Sequence, residues 1–229
     1  MKNFSLKRIK EQLEENKIFF EIIYIGLLSF MAVFVSIQAN NISDNQTKIM
    51  EFENTPKIEI RSKQVYNDTL GYRYKEKWLI YNKNSKLSNF DVLDTKSFLV
   101  YHEKQISTRD SIIFPINHYI NTSGTLFDQN EGLLYEFDNE ENGLYFRNLD
   151  LATKQNGYLQ INNYIKISYS TVLNNNIEKY YQISPIIQEI PLKEWEKITN
   201  LFIDKSESMV SLIEIDSTKF KKMIKNYRY

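Results

Sequence analysis

Residues 18–37 read IFFEIIYIGLLSFMAVFVSI and limit this chain more than any other stretch. The run is almost wholly apolar, with one charge at Glu21. At 1.5 Å of rise per residue, a helix of that length crosses the roughly 30 Å hydrocarbon core of a bilayer. The rest of the chain offers no comparable run. The sequence therefore predicts one membrane helix near the N-terminus, with most of the mass on one side of the bilayer. Glu21 lies within a turn of the boundary, where its carboxylate reaches the interface and avoids the cost of a charge at the bilayer centre. A cleaved export signal has a shorter apolar core, about 7–15 residues, and small residues at its cleavage site. Ile37, two residues before Ala39, breaks that pattern, so the run reads as a retained anchor.

Charge sets the expected orientation. Residues 1–17 carry Lys2, Lys7, Arg8, Lys10 and Lys17, whereas residues 38–56 carry only Lys48. Basic residues favour the cytoplasmic side, and acidic ones weigh little. The N-terminus is expected in the cytoplasm and the large C-terminal domain outside it. Phe4, Leu6, Ile9 and Leu13 have loose helical spacing, which suits either a short helix on the inner membrane surface or a solvated charged tail.

The residues after the anchor suffice for one domain with a real core. Net charge is zero and both signs are interspersed, which argues against nucleic-acid binding, since that needs a basic face. The chain has no cysteine, which excludes thiolate metal sites, cysteine nucleophiles and disulfides. Scarce alanine with abundant Asn, Lys, Ile and Tyr suggests an AT-rich bacterial genome.

Residues 40–54 are polar with scattered apolar positions (Ile42, Ile49, Met50, Phe52) and read as a stalk continuing the anchor helix until Pro56 stops it. Strand signals follow. Residues 57–66 alternate Ile58 and Ile60 against charged neighbours, the period of a half-buried strand. Residues 77–81, 90–93, 97–102 and 111–120 read the same way, with Pro115 marking an edge strand or a bulge. Residues 128–143 look like an acidic loop around a short apolar piece, and residues 144–154 suit a short helix or a strand. Residues 157–173 lead into Asn174-Asn175-Asn176 and 177–190 run back, a hairpin whose turn uses the tolerance of Asn for left-handed backbone. Residues 192–203 place Leu192, Trp195, Ile198, Leu201 and Phe202 near one helical face, and residues 217–229 form a second, basic helical pattern. Short strands at about ten-residue spacing point to an antiparallel sandwich.

Familiar chemistry is hard to place. The two histidines, His102 and His118, sit at strand ends with no G-x-S-x-G elbow to supply a nucleophile. Asp138, Glu140, Asn142 and Gly143 follow the opening of a calcium loop, but the closing position holds Leu149, so the segment reads as a solvated acidic loop. Glu131, Glu136 and Asp138 form the nearest thing to a carboxylate pair for glycoside cleavage. Glycine is scarce, and nothing resembles a phosphate-cradling loop. No catalytic residue, metal site or cofactor is expected. Tyrosines crowd two regions, Tyr72, Tyr74 and Tyr81 in one and Tyr180 and Tyr181 in the other. Tyrosine suits both sheet cores and contact surfaces, and these five form the candidate partner surface.

Three pieces carry a resemblance. Gln46-Thr-Lys-Ile-Met-Glu-Phe-Glu-Asn-Thr-Pro-Lys-Ile-Glu-Ile60 resembles the stalk, proline and first strand of a loose group of uncharacterised bacterial proteins that have one N-terminal membrane helix and an immunoglobulin-like sandwich. Trp78-Leu-Ile-Tyr-Asn82 with Leu87-Ser-Asn-Phe-Asp-Val92 is similar to their strand, turn and next strand, although Lys83-Asn-Ser replaces the usual turn glycine. Ile167-Ser-Tyr-Ser through Tyr181-Gln-Ile183 is similar to their late hairpin. The resemblance spans roughly residues 18–190 and implies an architecture without an activity.

The expectation is a mainly β chain: an N-terminal transmembrane helix, an antiparallel β-sandwich that the resemblance makes immunoglobulin-like, and one or two C-terminal helices. Its segments are a cytoplasmic juxtamembrane piece (1–17), the membrane helix (18–37), a polar stalk (38–56), the sandwich (57–191) and a helical segment (192–229). Functionally it reads as a non-enzymatic binding or scaffold protein in a bacterial cell membrane, facing a protein partner and no nucleic acid. Its rivals are a scaffold subunit of a secretion or conjugation assembly, a membrane-tethered hydrolase using the acidic loops, and a membrane-tethered sensor or effector in phage defence.

Overall fold

The architecture comes from a computed structural model that describes residues 10–11, 14–69, 71–104, 111–127 and 132–227, with only the backbone of Tyr72 and Arg73. Two compact units make up the chain, residues 1–53 and 54–229. The expected surface helix at Phe4, Leu6, Ile9 and Leu13 lies outside the described residues.

The first unit is dominated by one unbroken helix, α1 (Lys17–Glu53). It is long and apolar enough to cross a membrane, and none of its residues is buried. Lys17 Nζ lies 3.9 Å from Glu21 Oε1, so the charge at the edge of the apolar run has a counter-charge one turn away. Within the run, the hydroxyls of Ser29 and Ser36 donate to the carbonyls of Ile25 and Ala32, both at 2.8 Å. That removes two polar groups that lipid could not satisfy. The helix continues through the polar stretch as expected and stops three residues before Pro56.

The second unit is a sandwich of two antiparallel sheets with helices at its flanks. Its strands are β1 (Pro56–Asn67), β2 (Tyr72–Asn84), β3 (Leu87–Glu103), β4 (Ile112–Ile116), β5 (Asn121–Leu126), β6 (Gly132–Asp138), β7 (Gly157–Thr171), β8 (Asn176–Ser184) and β9 (Gln188–Ile190). One sheet has the order β1-β2-β6-β5 and the other β4-β3-β7-β8-β9. The edges are therefore β1, β5, β4 and β9, and Pro115 sits on an edge as its missing N–H demands. Helix α2 (Asn142–Thr153) connects β6 to β7, and α3 (Leu192–Asp204) and α4 (Ser217–Asn226) follow the last strand.

Alternation decides which side chains fill the core. On β7 the inward residues Leu159, Ile161, Ile165, Ile167 and Tyr169 are buried, and the outward residues from Tyr158 to Ser168 are not. They meet Trp78, Ile80, Leu134 and Phe137 from the other sheet in one cluster. Trp78 is fully buried, stacks on Phe137 with centroids 5.5 Å apart, and its indole N–H donates to the Ile183 carbonyl at 3.3 Å. A single side chain thus binds the two sheets by both contact and hydrogen bond.

The C-terminal helices join this unit. Asp216 starts α4 by accepting from the N–H groups of Thr218 and Lys219, both at 2.8 Å, and those bonds hold its carboxyl below the usual range. The helix then lays Phe220 against Phe114 and Tyr101. Helix α3 covers the outer face of the five-stranded sheet, packing Trp195 and Ile198 on Phe98, Val100 and Ile190 as a second core.

Several expected elements have different bounds. Residues 90–93 and 97–102 belong to one strand, β3, whose ladder shifts register near residues 88–94. Residues 111–120 end as a strand at Ile116, and residues 177–190 split into β8 and β9 around Pro185. The apolar piece inside the expected acidic loop is β6, a strand with partners on both sides. Its inward Leu134 and Phe137 are buried, and its outward Glu136 and terminal Asp138 are ion-paired to Lys77 and Lys75. The acidic impression came from the outward face of a central strand.

Candidate functional site

The five tyrosines do not converge. Tyr72 opens β2, and its side chain lies outside the described residues. Tyr81 points outward with the Arg61 guanidinium 4.7 Å above its ring. Tyr181 falls on the inward side of β8 and is core, 6 % exposed. Tyr180, one residue earlier, faces the opposite way and stacks on Trp195 at 5.6 Å beneath α3, its hydroxyl donating to Glu178 Oε2 at 2.9 Å. The ring that alternation turns inward and the ring that α3 covers are both occupied by packing. Tyr74 differs. It is half-buried and lines a cleft of about 520 Å³ at one end of the sandwich.

That cleft is built from both sheets and from α2. Gln64 of β1, Tyr74 and Glu76 of β2, and Tyr119 and Asn139 at the ends of loops form one wall. Leu159, Gln160 and Ile161 of β7 with Ser184 and Pro185 form the other, and α2 closes it with Phe146 and Arg147. Strand β1 runs from Pro56 toward this cleft, so the cleft is at the end of the sandwich opposite the chain's entry.

A polar network holds the wall in shape. The Glu76 N–H donates to Asn139 Oδ1 at 2.8 Å, and the Asn139 N–H returns a bond to the Glu76 carbonyl at 3.2 Å. Asn139 Nδ2 donates to the Tyr119 hydroxyl at 3.0 Å. Asn139 is 1 % exposed and Tyr119 4 %. Burial pushes the Tyr119 hydroxyl far above its ordinary range, so it stays protonated. Burial also raises the Glu76 carboxyl, while hydrogen bonds from Gln64 and Ser62 pull it partly back. Gly143, at the start of α2, lets the helix approach this wall, because a Cβ there would collide with the Tyr74 carbonyl.

The cleft therefore combines apolar lining with a few fixed polar groups, the usual composition of a small recognition site. It is lined by the Glu76 carboxylate and by the cations Lys75, ion-paired to Asp138, and Arg147, and Gln64 and Gln160 add amides. No sequence pattern marks these residues. Glu76 is hidden between Lys75 and Lys77, and its partners come from elements far apart in the chain. The only hint was strand alternation, which puts Glu76 on the same face as Trp78 and Ile80.

The other candidates occupy structural roles. His102 stacks on Tyr158 at 4.5 Å. His118 has a left-handed backbone (φ 49°) in a turn beside Glu140 and Glu141. Asn142 of the calcium-like segment donates to the His118 and Tyr119 carbonyls. Glu131 lies outside the described residues. Among the described residues, no group of three His, Asp or Glu is arranged to hold a metal ion. No protein-family model matches the chain, and comparison with the curated proteins finds no match.

Proposed function

We propose that this chain is a single-pass, membrane-anchored binding protein whose sandwich is of immunoglobulin type and presents a recognition cleft to a protein partner. One observation supports the fold half of the reading. With β1, β2, β6 and β5 as strands A, B, E and D, and β4, β3, β7 and β8 as C′, C, F and G, the sheet order is ABED against C′CFG. The cleft lies at the end that carries the A–B and E–F connections, opposite the B–C and F–G loops that form the binding end of variable-type sandwiches.

The chemistry of the cleft suggests what it receives. A half-buried carboxylate among amides suits a basic side chain from the partner. The volume accommodates side chains of a docked segment, with the apolar lining of Tyr74, Phe146, Leu159 and Ile161 taking up their stems. In this reading α1 holds the protein in a bacterial cell membrane with its N-terminus cytoplasmic. A domain that opens on a strand, with α1 directly before it, favours this reading over a secretion-scaffold subunit whose domain opens with long helices.

Photo-crosslinking in cells tests the binding half. A benzophenone amino acid at Gln160, in the cleft, is expected to capture a protein, and Glu76→Gln is expected to abolish the adduct. The same group at Asn175, in the turn at the other end, gives none. Capture at both positions alike, or at neither in stably inserted protein, rejects the cleft as the recognition site. Orientation is tested in the cysteine-free chain with an impermeant maleimide. Asn175→Cys should react from outside and Ser5→Cys should not. The reverse pattern overturns the orientation and favours a cytoplasmic sensor.

A further inference from the structure

We infer that the free edge of β1 is a docking rail for an extended, acidic segment of a partner protein, which joins the four-stranded sheet as a further antiparallel strand. Of the four sheet edges, the other three are closed or too short to extend. Val210 bridges β4 on its free side: its N–H donates to the Pro115 carbonyl at 2.8 Å, and its carbonyl accepts from the Asn117 N–H at 2.9 Å. Strand β5 has six residues, and its pairing with β6 breaks between Asn121 and Thr125. Strand β9 has three residues. Devices of this kind keep a sheet edge from recruiting another chain.

Strand β1 has none of them. Its register on β2 is unbroken from Pro56 to Val65, which makes a regular edge about 30 Å long. Among the described residues β2 is its one neighbouring strand. In an antiparallel pair, alternate residues turn their N–H and C=O groups away from the partner strand. On β1 those groups face outward along the whole regular stretch, and no proline after Pro56 removes a donor. A peptide adds to a sheet through such an edge.

The side chains define the incoming segment. The outer row of β1 is Lys57, Glu59, Arg61 and Lys63. Its one acid, Glu59, is bonded by Arg61 Nε at 2.6 Å and by Lys83 Nζ. Lys57 and Lys63 are exposed. On the other face Ile60 is buried, Ile58 is half-buried and Ser62 is exposed. An antiparallel segment fits this row with acids opposite Lys57, Arg61 and Lys63, and with apolar residues beside Ile58 and Ile60 that extend the core. The inference goes beyond the cleft, whose Glu76 draws the opposite charge.

Two synthetic peptides and the full chain in neutral detergent test this. Glu-Thr-Glu-Val-Lys-Val-Glu matches the row from Lys63 back to Lys57, and Lys-Thr-Lys-Val-Glu-Val-Lys reverses every charge. By fluorescence anisotropy the first is expected to bind about tenfold tighter than the second, as four complementary cross-strand pairs allow, and to weaken as salt rises. Lys57→Glu with Lys63→Glu should erase the preference, with the circular dichroism of the fold unchanged. Hydrogen exchange should slow severalfold at alternate amides of residues 57–65 when the first peptide binds, and stay the same in β5. Equal binding of the two peptides, no binding of either at millimolar concentration, or binding without protection of β1 overturns the inference. Protection of β1 that grows with protein concentration in the absence of peptide also overturns it, since a second copy would then hold the edge.

Discussion

Asn139 offers the sharpest test of the cleft wall. Its side chain makes two buried bonds, accepting from the Glu76 N–H at 2.8 Å and donating to the Tyr119 hydroxyl at 3.0 Å. Asn139→Ala leaves both groups without that partner at the cleft wall. Each orphaned group costs about 1–3 kcal/mol, so the variant should lose about 2–6 kcal/mol. At about 2–4 °C per kcal/mol for a domain of this size, Tm should fall by about 10 °C. Tyr119→Phe alone should cost about 1–3 kcal/mol, because it orphans the Asn139 amide. The double variant decides the matter. Once Asn139 is alanine the Tyr119 hydroxyl is already unsatisfied, so removing it should cost nothing further or restore stability. The expected coupling is about 1–3 kcal/mol. Thermal unfolding of the four proteins in detergent, followed by circular dichroism, measures it. Strictly additive losses would refute the reasoning, since they would mean the two side chains do not share a buried bond.

Three further outcomes follow from the same structure. Gly143→Ala should destabilise the domain by more than the roughly 1 kcal/mol spread of ordinary helix propensities, because its Cβ meets the fixed Tyr74 carbonyl; a more stable variant in chemical denaturation would contradict that contact. Glu76→Gln should stabilise the fold at neutral pH. The folded carboxyl is raised above its ordinary value of 4.5, so its ionisation disfavours folding as pH rises past that value, and the advantage of glutamine should vanish below about pH 4 in a Tm-versus-pH series. Trp195→Ala, which removes a buried ring stacked on Tyr180, should cost about 3–5 kcal/mol, against about 0.5 kcal/mol for the half-exposed Leu192→Ala; equal losses in urea melts would show that α3 is not docked on the sheet.

The sequence and the structure agree where the pattern is local. The alternation from Ile58, the hairpin around Asn174 (φ 59°) and the stripe of Trp195 and Ile198 each depend on neighbours within one element, and each lies where its period puts it. Agreement fails where a neighbour in space decides. Strand β6 looks acidic because Glu136 and Asp138 pair with lysines on β2, a pairing that no local period encodes. Strand β3 reads as two pieces because register shifts interrupt its alternation. Helix α2 is ambiguous in sequence because its apolar residues face several neighbours, and only Leu149 and Thr153 are buried. The candidate site was the least legible. Of the crowded tyrosines, Tyr74 lines the cleft, whereas Tyr180 and Tyr181 are taken up by packing. Glu76, Tyr119 and Asn139 become a unit only through the sheet.

Strand β1 is the longest edge of the sandwich, with one side of its backbone facing no other strand. Copies crowded on one membrane surface would have a raised local concentration around one another. An apolar, flat edge under those conditions would zip to its counterpart and nucleate a continuous sheet. The outward residues of β1 are Lys57, Glu59, Arg61 and Lys63, three of them cations. Identical edges brought together in parallel register would set like charges side by side. The charged outward face of the strand that begins the domain therefore disfavours edge-to-edge pairing of neighbouring copies.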